Sequence, residues 1–344
     1  MAKFIKTLCW MRSEQVPLVR EIAALASMHL VSVGTGEKGR ASALAAELAD
    51  LSPAAPSPPA AHDDLRAAIS VTEASLVLLA DAAGFGESPA DAAALEAAAR
   101  RGARIVSFEF LPPTTATLAS TAWQVPIEGV PLWDIVRSAA AVEAAAPMRE
   151  GLAALENFGE VSAVAVLCAA SPSAGSLGAR LASAMELIHT IVGEPELISA
   201  SHVAPAEMRG LRMGSLPEAH GTLSATLRFD ANRSASVLVS NQTGPWHRGV
   251  TILGPGGRLR LWDEGFVWTA PDGRVLDEQR SASAPSDVDP ASRLIAAAIA
   301  AASEPPASRA VAPAILAMAE AAMLSTRTGQ PESPATLRRA AEAP

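Results

Sequence analysis

Few residues in this chain combine the type and spacing that chemistry needs. Gly34-Thr35-Gly36-Glu37-Lys38-Gly39 is a Gly-x-Gly-x-x-Gly string with Arg40 directly after it. Between a strand and a helix, such a string lets a phosphate approach backbone amides at the helix N-terminus. His29–Val33 before it reads as a short strand and Ala41–Leu51 after it as a helix, so the local context is right. Two readings stand side by side. In one the string is a phosphate loop, with Lys38 and Arg40 touching phosphate. In the other it is a glycine-rich turn after a second strand. The acidic residue expected about 20 positions further on is missing, because the proline–alanine loop Ser52–Ala61 lies there.

The other reactive types are scattered. Glu186 and His189 are three residues apart in the predicted helix Leu177–Val192, hence on one face. His220 precedes a predicted strand, and Trp246-His247-Arg248 reads as an exposed loop suited to a ligand, a partner subunit or a simple cap. Cys9 and Cys168 each lie in an apolar run and are expected as buried free thiols, not as a disulfide or metal site. No His, Cys or carboxylate pair has metal-ligand spacing, and no Gly-x-Ser-x-Gly elbow is present. Tyrosine is absent, so no phenol can serve as acid or donor.

Composition narrows the classes further. The 344 residues predict two domains. A hydrophobic fraction of 49% with 18% charged residues describes a folded chain. A net charge of −9 argues against nucleic acid, which needs a basic face. The N-terminal apolar run is cut short by Arg12, Ser13 and Glu14, unlike a signal peptide. No window approaches the ~20 apolar residues of a membrane span. The expected location is the cytoplasm, with no membrane partner.

The elements that must position these residues fall into two patterns. Phe4–Met11, His29–Val33, Ser75–Ala80 and Arg104–Phe108 are apolar strands alternating with the helices Pro17–Ala26, Ala41–Leu51, Asp63–Ile69 and Ala90–Arg101. That alternation predicts a Rossmann-like parallel sheet covered by helices. From Gly221 to Gly273 the pattern changes to period two. Leu223, Ala225, Leu227 and Phe229 alternate with polar residues, and Ala235, Val237 and Val239 repeat this on the return. Val250–Leu253 and a last hairpin from Leu259 to Trp268 complete a predicted open antiparallel meander. The fold class expected is α/β: a Rossmann-like domain over residues 1–120, a proline-punctuated crossover over 121–150, an α+β domain with a large open, mainly antiparallel sheet over 151–330, and a tail.

Gly159-Glu160-Val161, the helix end Ile191-Val192-Gly193-Glu194-Pro195, the strand runs above and the tail from Glu320 to Pro331 together resemble the Gfo/Idh/MocA family of NAD(P)-dependent oxidoreductases. The resemblance implies NAD or NADP as cofactor, a sugar or cyclitol-like substrate, and a sheet that covers the nicotinamide and often joins subunits, hence a homo-oligomer. It implies that the phosphate turn follows the first strand, where Met11-Arg12-Ser13-Glu14-Gln15-Val16 holds no glycine and Glu14 would repel phosphate. The loop Gly34–Arg40 then falls where the family reads the ribose, with Lys38 and Arg40 suited to a 2′-phosphate. The family's Glu-Lys-Pro motif corresponds to Phe108-Glu109-Phe110-Leu111-Pro112, without the lysine. Its helical Asp and His fall on Ala179 and Ser183, counted back from Gly193-Glu194-Pro195. A slip of one turn would bring Glu186 and His189 into that place as an acid–base pair. Two functions follow: an NAD(P)-dependent oxidoreductase acting on a sugar or cyclitol-like substrate with divergent motifs, working or impaired, or a non-catalytic relative that keeps the two-domain scaffold for binding or scaffolding.

Overall fold

The structure, a computed structural model, describes residues 4–51, 58–82, 84–141, 145–205, 216–281, 288–302 and 311–342. The chain divides into two units. One comprises Met1–Ala139, Ser173–Gly175 and Ala291–Arg309; the other comprises Ala140–Pro172, Ser176–Pro290 and Ala310–Pro344.

The first unit runs β1 (Ile5–Trp10), α1 (Val16–Leu25), β2 (Met28–Gly34), α2 (Ala41–Glu47), β3 (Ala60–His62), α3 (Leu65–Val71), β4 (Leu76–Leu79), α4 (Pro89–Arg100) and β5 (Arg104–Ser107). It continues through α5 (Thr115–Ala119), β6 (Pro126–Ile127), β7 (Val130–Pro131), α6 (Leu132–Ile135) and β8 (Val136–Ser138). The sheet order is β3-β2-β1-β4-β5-β8, and every pairing is parallel. Strands covered on both faces must be apolar along their whole length, and Leu76–Leu79 is buried throughout. The order reverses between β1 and β4, which makes the ends of these two strands the switch point of the sheet. The region expected as a crossover contributes β8, which pairs with β5, and the small antiparallel hairpin β6–β7. Part of the expected proline–alanine loop, residues 52–57, lies outside the described residues; Ala60–His62 of the same stretch form the edge strand.

The second unit holds α7 (Ala146–Ala153), α8 (Leu155–Phe158), β9 (Ala163–Ala169), α9 (Leu177–Val192), β10 (Leu197–Val203), β11 (Thr222–Arg228), β12 (Ser234–Ser240), β13 (His247–Gly254), β14 (Gly257–Trp262), β15 (Gly265–Thr269) and β16 (Val275–Arg280). The chain adds α10 (Pro290–Ala301) to the first unit and ends in the second with α11 (Ala312–Thr328) and α12 (Pro334–Glu342). The eight-stranded sheet has the order β10-β11-β12-β9-β13-β14-β15-β16. The predicted meander is therefore not continuous. β9 enters between β12 and β13, parallel to the first and antiparallel to the second. Period-two burial gives the sheet one covered face, with Val164, Val166, Leu223, Leu227, Val237 and Ile252 inside. Helix α9 packs on β9 and β12, and α11 packs on β10 and α9. The opposite face carries a shallow groove lined by Ala165, Leu167, Leu238, Thr251 and Trp262, and Leu238 is 46% exposed. No described helix is long and apolar enough to cross a membrane.

Candidate functional site

In the first unit the switch point places the turn after β1, residues 11–15, where an anion would meet the start of α1. Ser13–Gln15 form a single tight turn that leads into α1. Its donors are already engaged. The Gln15 side chain accepts from the Arg12 amide at 2.9 Å and donates to the Ala80 carbonyl at 2.9 Å. The Ser13 amide points at both carboxylate oxygens of Glu37, 3.3 Å from each, and the Ser13 hydroxyl donates to the same carboxylate. The Arg12 guanidinium lies 3.1 Å from Glu14 and 3.8 Å from Asp81. Two carboxylates thus flank the one arginine at the end of β1, and a third, Glu37, lies on Ser13 beside it.

The glycine string follows β2, one strand away from the switch point. Each glycine can be read locally. A Cβ at Gly34 would stand 2.3 Å from the Trp10 ring, so close packing requires its absence. Gly39 has φ of +73°, the left-handed region that glycine enters without strain. Gly36 has open space around it and no such φ. Thr35 is buried and its hydroxyl accepts from the Glu37 amide at 3.1 Å, a turn that fixes the start of the Glu37 side chain. Lys38 and Arg40 are exposed.

In the second unit the candidate groups gather where α9 crosses β13. Ser176 caps α9 by accepting from the Ala179 amide at 3.1 Å, and the helix ends at Gly193. Its buried face carries Ala179, Arg180 and Ser183. The Ser183 hydroxyl donates to the Ala140 carbonyl at 3.2 Å and accepts from Arg248 at 3.0 Å. Arg248 is 1% exposed. It donates to Asp263 from Nε at 2.8 Å and to the Ala140 carbonyl at 2.5 Å. Burial works against its charge, but Asp263, aided by Glu186, holds the guanidinium proton more firmly than usual. Trp246 donates to the other Asp263 oxygen at 2.6 Å, and the Arg180 guanidinium lies 4.2 Å above the Trp246 ring. The expectation of an exposed Trp246-His247-Arg248 loop is thereby corrected, because Trp246 and Arg248 are buried and only His247 faces out. Arg248, Val250 and Ile252 share one side of β13, a signal that the period-two pattern already contained.

Glu186 and His189 occupy adjoining turns of α9 but serve different neighbours. Glu186 acts electrostatically on Arg248. His189 lies near Glu194 and Arg338, which pair at 2.9 Å, and burial lowers its pKa. His220 is held by Asn241 at 3.0 Å, and His202 approaches the His220 carbonyl at 2.8 Å. Among the described residues no group of three His, Cys, Asp or Glu side chains could hold a metal. Cys9 and Cys168 are buried, each pushed up to about 12 by desolvation.

No family model matches the sequence, and no curated protein matches it. Solved structures do match. A probable dehydrogenase from Thermotoga maritima aligns over 97% of this chain and 100% of its own, with a TM-score of 0.62 and 13% identity. This chain shares the fold of that protein. Levoglucosan dehydrogenase in complex with NADH and levoglucosan aligns over 96% of this chain and 99% of its own, with a TM-score of 0.64 and 13% identity. An oxidoreductase from Agrobacterium radiobacter, in complex with NAD+, L-tartaric acid and magnesium, aligns over 97% of this chain and 99% of its own, with a TM-score of 0.63 and 15% identity. These levels of identity speak for shared architecture, namely the six-stranded parallel sheet and the larger, mainly antiparallel one.

Proposed function

We propose that this chain is a dehydrogenase-fold homologue of the Gfo/Idh/MocA type in which hydride transfer is impaired or lost, and which serves as a binding or assembly protein for a sugar or cyclitol-like ligand. The observation that carries this reading is Ser183. On the helix where the resemblance expects a proton-shuttling histidine, its hydroxyl is held between a buried arginine and a backbone carbonyl. A hydroxyl does not titrate near neutrality, and here its proton is already given to a backbone carbonyl. The turn after β1 supports the same reading. Its residues do not fit a pyrophosphate, since no glycine opens it and three carboxylates crowd it.

The test is a titration with NADH and NADPH, followed by tryptophan fluorescence and thermal shift, alongside a sugar and cyclitol panel assayed for NAD(P)+ reduction. No shift and no turnover are expected. Stabilisation of about 2–3 kcal/mol at ~100-fold excess over the dissociation constant, with turnover on any panel member, overturns the proposal.

A second reading has its own support, since similar structures hold NADH or NAD+. In it the chain is a working NAD(P)-dependent oxidoreductase. Gly34, Gly36 and Gly39 shape the ribose-side loop, Lys38 and Arg40 meet a 2′-phosphate, and Glu186 with His189 forms the acid–base pair. NADPH-dependent turnover that falls on Lys38→Ala or His189→Gln selects this reading.

Assembly is a separate part of the proposal. The outer sheet face around Leu238 and Trp262 is offered to a second copy of the chain. Light scattering at micromolar concentration is expected to give a dimer or larger, and a monomer removes this part.

A further inference from the structure

We propose that Glu37 is an internal anion, holding for this chain the place at the start of α1 that a bound phosphate takes in dinucleotide-binding sheets. A Rossmann turn stabilises pyrophosphate through backbone N–H groups aimed at it from the first turn of the helix after β1. Here the amide of Ser13, which opens the tight turn Ser13–Gln15 leading into α1, is 3.3 Å from both oxygens of one carboxylate, and the Ser13 hydroxyl donates to it as well. The carboxylate reaches this position from the loop after β2, 24 residues away in sequence. Its route is fixed at the start, because the Glu37 amide donates to the buried Thr35 hydroxyl.

The surroundings agree with a place already supplied with negative charge. Arg12, the one cation of the turn, is turned toward Glu14 and Asp81. A carboxylate between a hydroxyl and an amide is a charge-assisted acceptor, and a second anion would add repulsion without gaining a donor. Glu37 would thus do two things together: complete the helix start, and exclude phosphate-bearing ligands from the switch point. The glycine string gains a structural reason on this view. Gly34 lets β2 pass Trp10, Gly39 turns the chain back, and Glu37 between them is delivered to Ser13.

The proposal rests on the reading that the native turn takes no dinucleotide, and its test separates the two. Thermal unfolding of the whole protein is compared for the native chain, Glu37→Ala and Glu37→Gln, in buffer, in millimolar inorganic pyrophosphate and in millimolar NADH. Glu37→Ala is expected to lose about 1–3 °C in Tm, the shift for one lost cap of about 1–2 kcal/mol in a chain of this size. It is expected to regain at least half of that in pyrophosphate, while the native chain does not move. Glu37→Gln keeps an acceptor for Ser13 without the charge. It is expected to stay near the native Tm in buffer and to acquire a pyrophosphate-dependent rise, which secures the test where the alanine variant does not fold. Variants that gain no pyrophosphate response overturn the internal-anion proposal and leave the loss-of-redox reading standing. A native chain stabilised by NADH overturns that reading. If the variants then bind NADH less well than the native chain, Glu37 is no plug and both fall; if they bind it better, the internal anion stands alone.

Discussion

The turn after β1 and the meeting of α9 with Arg248 of β13 are both filled with this chain's own polar groups. They are filled differently. At the turn, a half-buried carboxylate from a neighbouring loop lies on one amide and one hydroxyl. At the crossing, a fully buried arginine is tied to Asp263, Ser183 and a backbone carbonyl, with a tryptophan against it. The first arrangement depends on one side chain that water reaches. The second is part of the core, and the sheet around it depends on the pair remaining complete. The difference implies that one substitution could open the first region to an anion, whereas no single substitution frees a side chain in the second without breaking the core around it.

The largest effect therefore belongs to the buried pair. Arg248→Ala leaves the Asp263 carboxylate without its counter-charge, with only the Trp246 N–H still donating to it, and a cost of about 3–5 kcal/mol is expected in chemical denaturation. Replacing both partners by apolar residues, as in Arg248→Met with Asp263→Leu, should cost less than either single change, because no lone charge remains. A double variant as unstable as the sum of the singles would show that the pair is not acting as a unit. Ser183→Ala is expected to cost about 1.5–3 kcal/mol, the value of one buried hydrogen bond to a charged group. Against these, the Glu37 variants at the turn should move stability by a single cap, and a larger loss there would erase the contrast between the regions.

How far these two regions could be read from sequence follows the same division. The strands and helices were legible because burial on both faces forces runs such as Leu76–Leu79, and burial on one face forces the alternation of Leu223, Ala225 and Leu227. The insertion of β9 between β12 and β13 was not, since strand order depends on pairings between residues far apart in the chain. At α9, counting back from Gly193 located Ser183, but its partner Arg248 was hidden by a charged letter in what looked like a loop. The alternation Arg248, Val250, Ile252 held the clue. Glu37 could not be found at all from spacing. A contact across two loops leaves no periodic trace, and its position inside a glycine string drew attention to phosphate, not to the residue that takes phosphate's place.

The two cysteines compare the regions without mutation, since Cys9 lies in β1 of the first unit and Cys168 in β9 of the second. Both thiols are pushed up to about 12 by burial, so at pH 8 almost no thiolate is present and labelling must wait for opening. Two slow rates are expected with an aromatic disulfide reagent, and both should become immediate in denaturant. Arg248→Met with Asp263→Leu should speed Cys168 alone, and Glu37→Ala should speed Cys9 alone. A common acceleration of both thiols would mean that the units open together.

The smallest effect tests the end of α9, beyond both regions. Burial lowers the His189 pKa, and Arg338 adds to this while Glu194 opposes it. The folded protein therefore holds the imidazole neutral at a pH where the unfolded chain, titrating near 6.5, already takes a proton. The stability that comes from the neutral ring is complete above the unfolded value and declines as pH falls through 6.5 toward the lower folded value, levelling below it. Thermal melts of the native chain and His189→Gln from pH 7.5 to 5 should thus converge on acidification, with the native chain losing more. Parallel curves would remove His189 as the titrating group. A steeper loss in the variant would mean that Glu194 outweighs burial and that the ring is charged in the fold, the state an acid–base role beside Glu186 would require.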